Sequence, residues 1–110
     1  MVKGHRVEKK IEVKTFLKII KNYNEEQIVT TQHTFFRFNE EERKIFKESV
    51  LKDYLITKIP LFVGIQHNRN YAIFYDYSKN EALRIILDMQ PDKIEIVTFY
   101  IIDKNEIPKL

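Results

Sequence analysis

Between Leu61 and Asp103 the chain is built from short runs of β-branched and aromatic residues, Leu61 to Gln66, Tyr71 to Tyr77, Ala82 to Met89 and Ile94 to Asp103. They are parted by His67-Asn-Arg-Asn70, Ser78-Lys-Asn80 and Gln90-Pro-Asp-Lys93. Runs of this length read as strands, and connections this short join antiparallel neighbours, so the pattern predicts a four-stranded meander. Ile85 and Ile86, Ile96 and Val97, and Ile101 and Ile102 point opposite ways on a strand, so both faces of the sheet are apolar and both need cover. The N-terminal segment or a second copy of the chain is the expected cover for the second face.

The first half has a different period. Ile11 and Val13 fit a strand, whereas Phe16, Leu17, Ile19 and Ile20 fit a helix, which is placed over Thr15 to Tyr23. Ile28-Val-Thr-Thr31 is a short β-prone piece, and Thr31 can cap a helical turn or two through Phe38. Asn39-Glu-Glu-Glu42 is the best local signal: the Asn39 side chain can accept from the Glu42 N–H while Glu42 reaches back, and three carboxylates sit at the positive end of a helix. Phe46, Val50 and Tyr54, with Ile45, Leu51 and Leu55 beside them, extend one apolar stripe to about Thr57, and Pro60 forbids continuation. Helices followed by strands make the fold class α+β, with N-terminal helices packed on a four-stranded antiparallel β-meander sheet.

With 110 residues, no Gly/Ser/Pro linker and no repeat, residues 1–110 form one domain. The absence of Cys excludes disulfides, thiol nucleophiles and cysteine-ligated metals. Gly4 and Gly64 are the only glycines, so no Gly-rich phosphate loop exists. His5, His33 and His67 lack metal-ligand spacing, and neither metal nor cofactor is expected. Ser49 and Ser78 lack a nucleophile-elbow context. The start, Met1-Val-Lys-Gly-His-Arg6, leads into alternating charge rather than an apolar run. A secretory leader and a membrane partner are therefore not expected, and the expected location is cytoplasmic. Abundant Ile, Lys and Glu match a thermophile or an AT-rich genome.

The net charge of +3 is uneven. Residues 1–21 carry seven basic side chains against Glu8 and Glu12, a local charge of +5, which leaves −2 on the remainder. Such a basic leading segment suits steering toward nucleic-acid phosphate and equally suits a solvated helix face. Lys14, Lys18 and Lys21 within it, together with Arg43 and Arg69, are the candidate nucleic-acid-binding residues. Arg84 is the one charge inside the apolar run Ala82 to Leu87, and Asp76 or Asp88 is the expected salt-bridge partner.

His33 and Arg37 stand four apart, so on a helix they address one anion together, with Phe35, Phe36 and Phe38 as apolar backing. The string reads Thr31-x-His33-x-x-x-Arg37-x-x-x-x-Glu42-Arg43, followed by an amphipathic helix, Pro60 and four strands. This order resembles small prokaryotic and archaeal proteins in which a His-x-x-x-Arg helix precedes a four-stranded sheet. Its architecture resembles the RelE-type toxins and related metal-independent ribonucleases of the barnase, EndoU, colicin and RelE fold. The resemblance spans roughly residues 28–103 by order of elements. It implies a toxin-like endoribonuclease, or an inactive descendant, acting on RNA, with a cognate antitoxin as partner. The implied catalytic set is His33 as base or acid, Arg37 and Arg84 on phosphate, and Tyr100 or Tyr75 as proton donor. The chain departs from that family in lacking a basic aromatic C-terminal tail. The alternative is a non-catalytic nucleic-acid- or protein-binding module working as a homodimer.

Overall fold

The computed structural model describes residues 6–31, 33–35 and 39–109. In chain order the elements are β1 (Val7–Ile11), α1 (Val13–Ile20), β2 (Ile28–Thr30), α2 (Glu40–Ile45), α3 (Glu48–Thr57), β3 (Phe62–Gln66), β4 (Tyr71–Asp76), β5 (Glu81–Met89) and β6 (Ile94–Asp103). The four expected strands are present, yet the four-stranded antiparallel meander is overturned as the description of the sheet. Among the described residues the sheet has six strands in the order β1-β3-β4-β5-β6-β2 and is mixed, because β2 runs parallel to β6. The two additional strands are edges whose sequences give little signal. Val7–Ile11 has only its two ends half-buried, and Ile28–Thr30 is three residues long. Their strand character comes from partners more than 50 residues away, Val7 opposite Gln66 and Ile28 opposite Ile94.

The chain starts on one edge, crosses by α1 to the opposite edge, and returns through α2 and α3 to β3 beside β1. The two crossings bury one face of the sheet. Phe16 and Ile20 of α1 and Leu51 and Leu55 of α3 pack with Val63, Ile73, Tyr75, Leu83, Ile85, Leu87, Ile94, Ile96 and Phe99. The far edge is tied down by polar contacts: the Tyr23 hydroxyl donates to the Gln90 carbonyl at 2.7 Å, and Gln27 Nε2 donates to the Asp92 carbonyl at 3.0 Å.

A bulge at Val97 sets which side chains of β6 face inward. Ile86 pairs with Thr98 but Leu87 pairs with Ile96, so Val97 is an extra residue and the alternation changes phase there. Ile94 and Ile96 on one side of the bulge, and Phe99 and Ile101 on the other, consequently share the helix-covered face. The single stripe read from Asn39 to Thr57 is also corrected, since α2 ends at Ile45 and α3 starts at Glu48. Lys47 between them is extended, at φ −82° and ψ 161°. The break lets the Phe46 ring reach Phe99 at 5.2 Å and Tyr77 at 5.8 Å. Burial of that ring outweighs the helical hydrogen bonds lost.

Among the described residues the second face is covered without a helix. Phe62, Ala72, Phe74 and Ile86 are buried there beneath Val7, Val97, Tyr100, Ile102 and Ile107. Ile107 follows a 3₁₀ turn, Lys104–Glu106, in which the Lys104 N–H donates to the Asn80 carbonyl at 2.9 Å and folds the C-terminal residues back. Thus β1 and the residues after β6 both contribute to this cover.

Gly64 lets β1 lie against β3. A Cβ there would overlap Val7 Cγ1 and stand 3.1 Å from the Lys9 carbonyl oxygen. Gly64→Ala is expected to lower stability by about 1–3 kcal/mol, and Val7→Ala in the same chain is expected to recover part of the loss. Urea unfolding of the two variants checks this; equal loss in single and double variants would place the strain elsewhere.

The Glu48 carboxylate joins α3 to the β2 edge. It accepts from the Thr30 hydroxyl and pairs with Lys52 at 3.3 Å. The Thr30 hydrogen bond outweighs desolvation and, with smaller contributions from Lys52, holds the Glu48 carboxyl below its ordinary value. A depressed folded-state pKa stabilises above the unfolded value, roughly 4.3 for glutamate, and that stabilisation is lost as pH falls through the lower folded value. Thr30→Val is therefore expected to lower the urea midpoint near neutrality, with the gap to wild type closing in acid. A gap independent of pH would mean that Thr30 does not act through this carboxylate.

Candidate functional site

Of the residues implicated by sequence, Arg84 and Tyr100 are brought together: they are register partners on β5 and β6, and both project from the second face. Phe74 is the opposite neighbour of Arg84 on β4, and the guanidinium lies 5.2 Å from the centre of its ring. Burial pulls the Arg84 guanidinium below its ordinary value, opposed by the Tyr100 hydroxyl and the Glu106 carboxylate. The expected partners of Arg84 are corrected by the structure. Asp76 pairs with Lys104, and Asp88 Oδ2 accepts from Gln90 Nε2 at 3.2 Å. Both aspartates have the face parity of Arg84, Asp76 on β4 and Asp88 four residues along β5, but the charges that act on Arg84 are Tyr100 and Glu106, the latter 22 positions away in sequence.

His33 stands on a different part of the molecule. It lies exposed in a turn directly after β2, where the Thr34 N–H donates to the Thr31 carbonyl at 3.1 Å and the His33 N–H donates to Thr31 Oγ1 at 3.2 Å. Thr34 Oγ1 donates to the Ile96 carbonyl at 2.8 Å, and the Phe35 ring meets Phe99 edge-on at 5.7 Å. Phe99 and Tyr100 are adjacent on β6 and face opposite ways, so the turn bearing His33 is anchored to the helix-covered face while Arg84 and Tyr100 occupy the other. Arg37 and the side chain of Arg43 lie outside the described residues, as does the Glu42 half of the expected capping box.

Within the basic leading segment, residues 6–21 form β1, α1 and the exposed surface around them. Phe16 and Ile20 bury one side of α1, which leaves Lys14, Lys18 and Lys21, spaced four and three apart, exposed on another. On the neighbouring edge strand the exposed Lys9 shares its side of the sheet with Ile11, which packs into the helix-covered core. Among the described residues none of these four lysines has an ion-pair partner; the ion pairs there involve Lys52, His67 and Lys104. Lys9 was not singled out by sequence, and its signal is the alternation of Lys9 with Ile11 on an edge strand. Lys10 points the other way, 5.9 Å from the centre of the Phe62 ring.

Arg69 sits at the tip of the β3–β4 hairpin with φ 71°, in the left-handed region that normally favours glycine or asparagine. Its N–H donates to the Gln66 carbonyl at 2.9 Å, closing the turn. Beside it His67 Nδ1 is 2.8 Å from Glu8 Oε1, and the His67 N–H donates to the Arg6 carbonyl at 2.9 Å, so the tip is fastened to β1. Among the described residues no three His, Asp or Glu side chains converge as metal ligands, and no helix is long and apolar enough to cross a membrane.

No curated protein and no solved structure matches the chain. The model of the MJ0788 family matches residues 14–87, from the lysine-bearing helix α1 into β5. That match takes in α1, both following helices, the edge strand β2, β3, β4 and most of β5, well over half of the chain, and the protein therefore belongs to the MJ0788 family.

Proposed function

We propose that the protein is a nucleic-acid-binding module that holds the phosphate backbone of RNA along the outer side of α1 without reading its sequence. The observation that carries this reading is the row of exposed lysines Lys14, Lys18 and Lys21, extended by Lys9 on β1, none of which has an ion-pair partner among the described residues. A lysine ammonium is a compact charge on a flexible stem, suited to a phosphate in any sequence context. The underside of α1 is fixed by Phe16 and Ile20 in the core, so the row is held on a rigid element.

The test is fluorescence anisotropy with a labelled single-stranded RNA and a DNA of equal length over a range of KCl concentrations. The expected result is binding that weakens steeply with salt, at roughly 0.7 in log–log slope for each phosphate neutralised on a single strand. Changing Lys14, Lys18 and Lys21 together to Glu is expected to abolish most binding, and changing them to Gln is expected to reduce the slope by about 2. Binding that keeps its strength and slope in both variants would overturn the proposal.

A second reading, RelE-type cleavage, is favoured by one observation, the cross-strand pairing of a guanidinium with a phenol in Arg84 and Tyr100. On that reading the Arg84 guanidinium holds phosphate and the Tyr100 phenol moves a proton of the reacting ribose, with no part for His33. It predicts that the wild-type protein cuts the same labelled RNA in EDTA and that Tyr100→Phe does not. No cleavage, or equal cleavage by both, ends this reading and leaves the binding module.

A further inference from the structure

At the end of the sheet near the C-terminus of α3 lies a cleft of about 250 Å³ lined by Tyr54, Lys58, Ile59, Tyr75 and Asp76. It is distinct from the lysine row on α1 and from the Arg84–Tyr100 pair. Its floor is Tyr75, 1% exposed, whose hydroxyl has no hydrogen-bond partner among the described residues. A phenol buried without a partner loses its hydration for nothing in return, a cost of about 1–3 kcal/mol. Phenylalanine at the same inward position of β4 would avoid it, so the retained hydroxyl is out of place in a purely structural core.

The chemistry of the lining limits what fits. Burial drives the Tyr75 phenol far above its ordinary value, so at neutral pH it is a hydrogen-bond donor. Tyr54 meets Tyr75 edge-on with ring centres 5.4 Å apart, and burial, then the neighbouring Tyr77, Asp53 and Asp76, raise its pKa as well. Lys58 caps α3, its backbone N–H donating to the Tyr54 carbonyl at 3.1 Å, and among the described residues its ammonium has no ion-pair partner. The one acid in the lining, Asp76, is neutralised by Lys104. Tyr54, Tyr75 and Lys58 therefore line the cleft, with the charge of Asp76 balanced by Lys104 from outside the lining. Ile59 beside them is 73% exposed, a large apolar side chain with a wet surface. The volume lies just under the roughly 300–1,000 Å³ of sites for drug-sized ligands, which sets the occupant at a small molecule.

We propose that this cleft binds a small organic carboxylate, the carboxylate accepting from the Tyr75 and Tyr54 hydroxyls and pairing with Lys58, and the apolar body lying against Ile59. The acceptor satisfies the one buried donor that the fold leaves unmatched in the cleft, and a charged acceptor makes that hydrogen bond a strong one.

The test is a titration of the ¹⁵N-labelled full chain with benzoate, acetate and inorganic phosphate, followed by amide shifts, with Tyr75→Phe and Lys58→Ala alongside wild type. Benzoate is expected to shift the amides of residues 54, 58, 75 and 76 and to bind more tightly than acetate. Each substitution is expected to weaken it by about tenfold, as loss of one hydrogen bond to a charged group implies. Tyr75→Phe is also expected to melt at or above the wild-type temperature, because it removes an unmatched polar group rather than a contact. The proposal fails if benzoate shifts no residue of the cleft, if phosphate shifts them as strongly as benzoate, or if Tyr75→Phe binds benzoate as wild type does. A lower melting temperature for Tyr75→Phe would overturn it too, by showing that the hydroxyl has a structural partner.

Discussion

Phe99 is where segments distant in sequence converge, and the phase of β6 puts it there. Its ring is fully buried, edge-on to Phe35 from the turn after β2 and tilted against Phe46 from the break between α2 and α3. Had β6 run without its bulge at Val97, either the Ile94 and Ile96 pair or the Phe99 and Ile101 pair would have turned to the other face. The helix-covered core would then lose its contact with the far edge. Much of the first half of the chain takes its shape from this requirement. The helical stripe breaks so that Phe46 can reach the ring, and the turn bearing His33 is held through Phe35.

The same alternation divides the functional groups. Lys14, Lys18 and Lys21 stand on the outer side of a helix whose inner side is core, a surface built for charge. Arg84 and Tyr100 lie across the sheet on a face packed by β-strand side chains and the returning C-terminal residues. The Tyr75 cleft opens at the sheet end, where α3 stops. These are separate places with separate chemistry, namely long-range attraction of phosphate, a guanidinium stacked on a ring, and short-range hydrogen bonding to a small acceptor.

The lysine row was legible because a 3.6-residue period places Lys14, Lys18 and Lys21 together once α1 is recognised. The pairing of Arg84 with Tyr100 depends on a register that composition does not encode, and the proximity of Glu106 depends on a turn that brings back the C-terminal residues. The cleft was not legible at all. Tyr75 has the inward parity of Tyr71 and Ile73 and was singled out only as the alternative to Tyr100 as proton donor; only the meeting of β4 with the last turn of α3 makes its hydroxyl conspicuous.

Local sequence determined the central strands β3 to β6, the hairpins between them, the amphipathic α1 and the helical start after Asn39. Each follows from neighbours within a few residues, through side-chain period, turn chemistry and capping. The tertiary structure alone decided that the sheet has six strands and is mixed, that β2 lies parallel to β6, that the long helical stripe breaks at Phe46, and that His33 and the Arg84–Tyr100 pair belong to opposite faces. The physical reason is that edge-strand pairing, register and ring packing are set by free energies shared between residues tens of positions apart. A short polar strand such as Val7–Ile11 becomes a strand only when a hydrogen-bonding edge is presented to it.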